Sequence, residues 1–194
     1  MNTLLEKLET ACWIARTLFM KNRASGSSAN MSFLHNGRIV ITKSGSCFGC
    51  LKPEDFSEVS FDGKLLKGEK PSKEFPLHQM LYKKSPDIGA VIHTHCTYSV
   101  LWSCLHHENE EDVMPGHTPY LKMKVGTVGL IPFAAPGSQE LFRLFAERIE
   151  KSDAFLLAHH GPVVGGKDLM NAFYGLEELE DSATIAWNLY LLHK

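Results

Sequence analysis

Apolar residues recur every three to four positions over residues 4–21, with Leu4, Leu8, Cys12, Ala15 and Phe19 on one side. That spacing predicts an amphipathic helix, expected to end at the Gly26-Ser27-Ser28 stretch. Asn30–Phe33 and Arg38–Thr42 then flank Asn36-Gly37, the pair preferred in two-residue hairpin turns because both central positions need positive φ. A second hairpin is expected at Asp62-Gly63, between Val59-Ser60-Phe61 and Leu65-Leu66. Pro76 is tolerated only in a first helical turn, so a helix should begin near Lys73 or Glu74. The short apolar run Ala90-Val91-Ile92-His93 reads as a buried strand, followed by a helix through Val100, Leu101 and Cys104. Leu121–Val125 and Val128–Pro132 read as strands separated by Gly126. Ser138 is a good N-cap for a helix to about Glu150, Ala154–Ala158 is another strand, and Asp168 caps a long final helix. Leu169, Phe173, Leu176, Glu180, Ala183 and Trp187 approximate that helix's inner stripe, with Glu180 an acidic interruption. This order predicts an α/β fold with a mixed sheet covered by helices on both sides.

Composition narrows the class. The chain has 194 residues, 44% hydrophobic and 22% charged, which suits one globular domain spanning residues 1–194. No apolar run approaches a membrane span of about 18–20 residues, and the start lacks a signal peptide's uninterrupted apolar core. The formal net charge of −2 predicts no large footprint for nucleic acid. Five irregularly spaced cysteines read as reduced, in a cytoplasmic protein. The outlier is histidine, with 10 residues, several of them in dense groups.

His93-Thr94-His95 follows a predicted strand, so its two imidazoles point to one face and can reach one metal. His159-His160-Gly161 also follows a strand, and one ligand is expected from that pair. Three histidines with an open fourth position describe a catalytic metal site, and imidazole favours zinc or another late divalent ion. Glu74, at a loop–helix junction, can ligate a metal and act as a base, or can simply complement the helix dipole. Gly26-Ser27-Ser28-Ala29-Asn30, Ser44-Gly45 and Ser72-Lys73 supply hydroxyls, an amide, backbone N–H groups and an ammonium for an anion. Cys47-Phe48-Gly49-Cys50 lacks a second pair and reads as two free thiols. His106-His107 sits in an acidic stretch and reads as solvated, while His35 and His78 are isolated and read as structural or solvated.

Taken together, Ser28-Ala29-Asn30-Met31-Ser32, Thr42-Lys43-Ser44-Gly45, Pro71-Ser72-Lys73-Glu74, His93-Thr94-His95 and His159-His160-Gly161-Pro162 resemble the class II aldolase family of zinc-dependent sugar-phosphate enzymes. The resemblance spans nearly the whole chain. It implies a three-layer fold with a mainly antiparallel sheet, and a cyclic homotetramer with sites between subunits. Position by position, it implies His93, His95, His160 and Glu74 as metal ligands, with Glu74 also acid or base. Tyr120 matches a tyrosine that donates a proton, often into a neighbouring subunit's site. Ser28, Asn30, Ser44, Gly45, Ser72 and Lys73 match phosphate-binding segments.

Gly45-Ser46-Cys47, Gly68-Glu69-Lys70-Pro71-Ser72-Lys73-Glu74 and Thr118-Pro119-Tyr120 look like the branch that decarboxylates 3-oxo-tetronate 4-phosphate. The resemblance therefore implies decarboxylation to dihydroxyacetone phosphate and carbon dioxide through an enediolate stabilised by Zn2+, with Mn2+ or Co2+ as other ions. The alternatives on this scaffold are a fuculose-phosphate type aldolase, a ribulose-phosphate 4-epimerase and a methylthioribulose-phosphate dehydratase. A non-enzymatic interaction domain, as in adducin, need not keep three histidines and Glu74. Two departures stand out: Ala29-Asn30 where many relatives have Gly-Asn, and Lys73 where the aldolase branch has serine.

Overall fold

The computed structural model describes residues 3–193. Among these residues, the strands are β1 Asn30–His35, β2 Arg38–Thr42, β3 Phe56–Val59, β4 Leu65–Lys67, β5 Ala90–His93, β6 Val128–Ile131, β7 Ala154–Leu157 and β8 Gly161–Gly166. They form one sheet in the order β4-β3-β2-β1-β5-β8-β7-β6. Only β6 and β7 pair parallel; the other neighbours are antiparallel. The helices are α1 Leu4–Met20, α2 Phe75–Lys84, α3 Thr97–Ser103, α4 Pro119–Lys124, α5 Gln139–Arg148 and α6 Leu169–Leu192.

Alternation along the strands divides the core in two. Ala90 and Ile92 of β5 pack with Ile14, Leu18 and Leu176 of α1 and α6. Val91, between them, packs on the other face with Leu77 and Leu81 of α2 and Phe142 and Phe145 of α5. The predicted mixed sheet with helices on both sides is therefore the observed architecture. Each fully buried leucine or phenylalanine contributes roughly 1.5–3 kcal/mol by leaving water.

Local chemistry explains most boundaries. Asn36 and Gly37 both have positive φ, 48° and 71°, as the β1–β2 hairpin turn demands. Ser138 and Asp168 cap α5 and α6, accepting from the Leu141 and Asn171 amides at 3.1 and 2.8 Å. α1 stops at Met20, before the expected glycine–serine stretch, because Asn22 turns the chain with φ 55°. α2 starts at Phe75, with Glu74 as its N-cap residue.

The second hairpin forms, but its first strand ends at Val59, so Ser60 and Phe61 lie outside β3, and two further elements differ from expectation. Leu121–Lys124 belongs to α4, with Val125 as its C-cap residue, and no strand forms there. Pro119 sits in the helix's first turn, and Leu121 and Val125, one turn apart, pack against the core. Met123, between them, is 76% exposed, as a helix's outer face requires. β8 was not expected, since glycines at both ends and Pro162 inside argue against a strand. The small residues are needed because α6 lies close: a Cβ on Gly166 would sit 2.3 Å from the Ala172 amide nitrogen.

Candidate metal centre and cleft

The antiparallel pairing of β5 with β8 builds the site. His93, the last residue of β5, lies opposite Val163 in β8. The segment leaving β5 therefore runs beside the segment entering β8. Contact there is backbone to backbone: a Cβ on Gly161 would sit 2.1 Å from the Thr94 carbonyl oxygen, and Gly161 has φ 151°. Only glycine fits at that position without displacing the chain. His159 adopts a left-handed φ of 57°, so that His160 turns inward while His159 stays exposed. The Ser103 hydroxyl accepts from the His159 amide at 3.0 Å and holds this turn.

His93, His95 and His160 come together, with one ring nitrogen from each lying within 4.8 Å of the others. His93 Nδ1 lies 2.8 Å from the Pro162 carbonyl oxygen, which only accepts. Nδ1 therefore carries the proton, and Nε2 is left bare for a metal. His93 Nε2 lies 3.3 Å from His160 Nε2. Glu74 closes the group, with Oε2 at 3.3 Å from His93 Nε2 and Oε1 at 3.5 Å from His160 Nε2. Glu74 is the N-cap residue of α2, but its side chain makes no capping bond there and turns to the histidines instead.

This donor set fits a divalent ion. Tetrahedral zinc with bonds of about 2.0–2.1 Å places neighbouring donors about 3.3–3.4 Å apart, close to the observed spacings. His95 Nε2 and Glu74 Oε1 are buried with no hydrogen-bond partner, as atoms reserved for an ion would be. Burial, with the neighbouring His95, pushes the His93 pKa down to about 3. Burial and His93 do the same to His160, also to about 3, and burial lowers His95. The Lys73 ammonium adds to the lowering at His95 and His160. All three imidazoles are therefore neutral at pH 7, and an ion need not displace a proton from them.

A cleft of about 260 Å³ adjoins this group. It is lined by Ser28, Asn30, Ser44, Gly45, Ser72 and Lys73, together with Glu74, His95 and His160. Of the residues that the sequence proposed for an anion, all but Gly26 thus border one space beside the histidines. Lys73 is exposed, and its stem passes close to Gly137, where a Cβ would lie 2.8 Å from Lys73 Cδ. Larger hollows exist elsewhere, one of about 600 Å³ beside Glu110 and Arg148. Among the described residues, the histidine group is the one that can hold a metal. Tyr120 stands apart: it lies on α4, 58% exposed, and does not line the cleft.

Two residues were undervalued in the sequence. His78 is fully buried, and Asn30 Oδ1 lies 2.6 Å from its Nε2. The same Asn30 amide donates to Glu74 Oε2 at 2.9 Å, so Asn30 grips the carboxylate as well as facing the cleft. Glu180, the interruption on α6, accepts from the Tyr98 and Ser99 amides and from the Ser99 hydroxyl, at 3.0, 2.9 and 2.7 Å. It caps α3 from outside, two residues beyond His95.

Comparison with known proteins agrees with this geometry. The description "Class II Aldolase and Adducin N-terminal domain" matches residues 9–187. The 3-oxo-tetronate 4-phosphate decarboxylase of Escherichia coli (strain K12) is 41% identical over 177 residues, covering 91% of this chain and 84% of its own. The L-fuculose phosphate aldolase of Methanocaldococcus jannaschii is 37% identical over 172 residues, covering 89% and 91%. The crystal structure of YgbL from Escherichia coli superposes with a TM-score of 0.92 at 38% identity, covering 97% of this chain and 91% of that one. A fold, a three-histidine centre and these matches lead to one assignment: the chain belongs to the class II aldolase family.

Proposed function

We propose that this protein is a metal-dependent carbon–carbon lyase that converts 3-oxo-tetronate 4-phosphate to dihydroxyacetone phosphate and carbon dioxide. The observation that carries the reading is the union, at one cleft, of Glu74, His95, His160 and the serine–lysine anion loops, with His93 completing the group of three neutral histidines. The identity to a decarboxylase of that name over 91% of the chain supports the substrate. His93, His95, His160 and Glu74 would hold the ion, with zinc the best match to the imidazole-rich set. Mn2+ and Co2+ are the other candidates. A divalent ion supplies Lewis-acid stabilisation of the negative charge that builds as carbon dioxide leaves.

The chain's own residues do the rest. Ser28, Asn30, Ser44, Gly45, Ser72 and Lys73 bind the phosphate and fix the substrate's orientation. The Lys73 ammonium, near enough to depress His95 and His160, also offsets substrate charge. The bond between the carboxyl carbon and its neighbour breaks, and its electron pair stays on that neighbour. One proton must then be delivered to that carbon. Glu74 Oε1, the carboxylate oxygen without a hydrogen-bond partner, is placed to hold and move it. Tyr120 is exposed on its own chain and would donate across a subunit boundary, in a homotetramer with shared sites. The exposed Met123 and Phe133, at 76% and 62%, give such a boundary apolar surface. Residues 1–194 would act as one class II aldolase-like domain in the cytoplasm. Its five cysteines are unpaired, and no described helix is long and apolar enough to cross a membrane.

The test is a coupled assay on zinc-loaded protein, following dihydroxyacetone phosphate and carbon dioxide together above the spontaneous rate. Equal, enzyme-dependent release of both is expected. His95→Ala should lose bound zinc and turnover together. The 37% identity to an L-fuculose phosphate aldolase favours a second reading. Dihydroxyacetone phosphate released from fuculose 1-phosphate, without carbon dioxide and with no activity on the keto acid, would establish it.

A further inference from the structure

Behind Glu74 runs a row of buried polar side chains that the proposed reaction does not touch. Asn30 and Ser32 are two apart on β1 and face the same side of the sheet. His78 and Tyr82 are four apart on α2, one turn from each other. The two pairs interlock. Asn30 Nδ2 donates to Glu74 Oε2 at 2.9 Å, and Asn30 Oδ1 meets His78 Nε2 at 2.6 Å. His78 Nδ1 meets Ser32 Oγ at 2.7 Å, and Ser32 Oγ meets the Tyr82 hydroxyl at 2.6 Å. All five residues are buried, His78 and Ser32 completely.

With a carboxylate at its end, the row has one consistent proton arrangement. Glu74 only accepts, so Asn30 must offer it the NH2 side of its amide. The amide oxygen then faces His78 and also only accepts, so His78 Nε2 carries the proton. Burial pushes the His78 pKa down to about 3, so the ring is neutral at pH 7 and Nδ1 is bare. Ser32 donates to Nδ1, and Tyr82 donates to Ser32. Every donor in the row points towards Glu74.

We infer that His78 is a positioning residue for the metal centre: fixed as its Nε2–H tautomer by Ser32 and Tyr82, it locks the Asn30 amide, which aims the Glu74 carboxylate at His93 and His160. Without the His78 donor, the Asn30 amide can turn over and set its oxygen against Glu74 Oε2, two acceptors facing each other. The grip falls on Oε2 alone, whereas Oε1 faces His160 and carries no hydrogen bond. One oxygen is thus anchored while the other stays free for an ion or a proton. This inference rests on the proposed placing of Glu74 in the metal centre.

The test compares His78→Phe with His78→Gln. Zinc affinity of the metal-free proteins is measured by competition with a chromophoric chelator, beside kcat and KM on the keto acid. His78→Phe should weaken zinc binding about 10–100-fold and lower kcat more than it changes KM. His78→Gln, whose side-chain N–H can take the place of Nε2–H, should recover most of both losses. A folded His78→Phe with wild-type zinc affinity and kcat overturns the inference. So does a folded His78→Gln no better than His78→Phe. If His78→Phe does not fold, 15N NMR of the wild-type histidines decides: a protonated Nε2 and bare Nδ1 on His78 supports the inference, and the opposite tautomer refutes it. Zinc affinity and tautomer need no substrate, so failure of the wild-type enzyme on the keto acid would be a separate result.

Discussion

Glu180 gives the sharpest test of how the scaffold holds the centre. α3 begins with no side-chain cap of its own, and the buried Glu180 carboxylate of α6 takes that place with three hydrogen bonds. Glu180→Ala would leave the Tyr98 and Ser99 amides and the Ser99 hydroxyl without their acceptor. Each orphaned buried donor costs about 1–3 kcal/mol. The hydroxyl can rotate to another partner, and losing a buried carboxylate refunds some desolvation, so a net loss of about 3–4 kcal/mol is expected. For a chain of this length, that is a melting-temperature drop of roughly 6–16 °C. Glu180→Gln keeps one acceptor oxygen and the shape but turns an NH2 towards a donor, and should cost about 1–2 kcal/mol. Urea unfolding of the metal-free proteins, with matched slopes, measures both. Zinc affinity should fall with stability in the Ala variant, because α3 starts just after His95. An Ala variant within about 1 kcal/mol of wild type would refute the capping argument. A Gln variant as damaged as Ala would show that charge alone matters.

Gly161→Ala should fold with its sheet intact yet bind zinc at least tenfold more weakly, because the new methyl would strike the Thr94 carbonyl and push apart the segments carrying His95 and His160; equilibrium dialysis at unchanged affinity would contradict this. His78 has a folded pKa of about 3, below its ordinary 6.5, so its contribution to stability is complete above pH 6.5 and is lost as pH falls from there towards 3. The loss should run at about 1.4 kcal/mol per pH unit, so urea midpoints of wild type and His78→Gln should converge between pH 6.5 and 5, and parallel curves would count against it. Mixing inactive Tyr120→Phe with inactive His95→Ala, under conditions that exchange subunits, should restore part of the activity if Tyr120 serves a neighbour's site. No recovery in mixed oligomers of verified composition would return Tyr120 to its own chain.

What was legible in the sequence follows from how local each signal is. The hairpin at Asn36-Gly37 and the caps at Ser138 and Asp168 depend on a few adjacent residues, and all three form as read. The histidine pairs announced themselves because polar ligands directly after short apolar strands are unusual. His78 was passed over because it stands alone in sequence. A signal did exist: Glu74, His78 and Tyr82 recur every four residues on a helix whose neighbouring positions, Leu77 and Leu81, are core. An ionisable stripe on a buried face needs partners, and β1 supplies them through Asn30 and Ser32. Glu180 carried the same signal on α6, and there the interruption was noticed.

The two misread elements share a cause, since both depend on what packs against them. α4 departs from the strand reading although Leu121, Met123 and Val125 alternate with lysines, because only the first and last touch the core. β8 was missed because glycine and proline weaken a strand taken alone. Yet β8 is what makes the motifs into a site. Its register against β5 sets Val163 opposite His93, which brings His160, three residues earlier, alongside His95. That close passage is possible only with glycine at 161, and the turn into it bends His159 into a left-handed conformation. The features that hid the strand are therefore the ones that let two separate histidine motifs meet around one point.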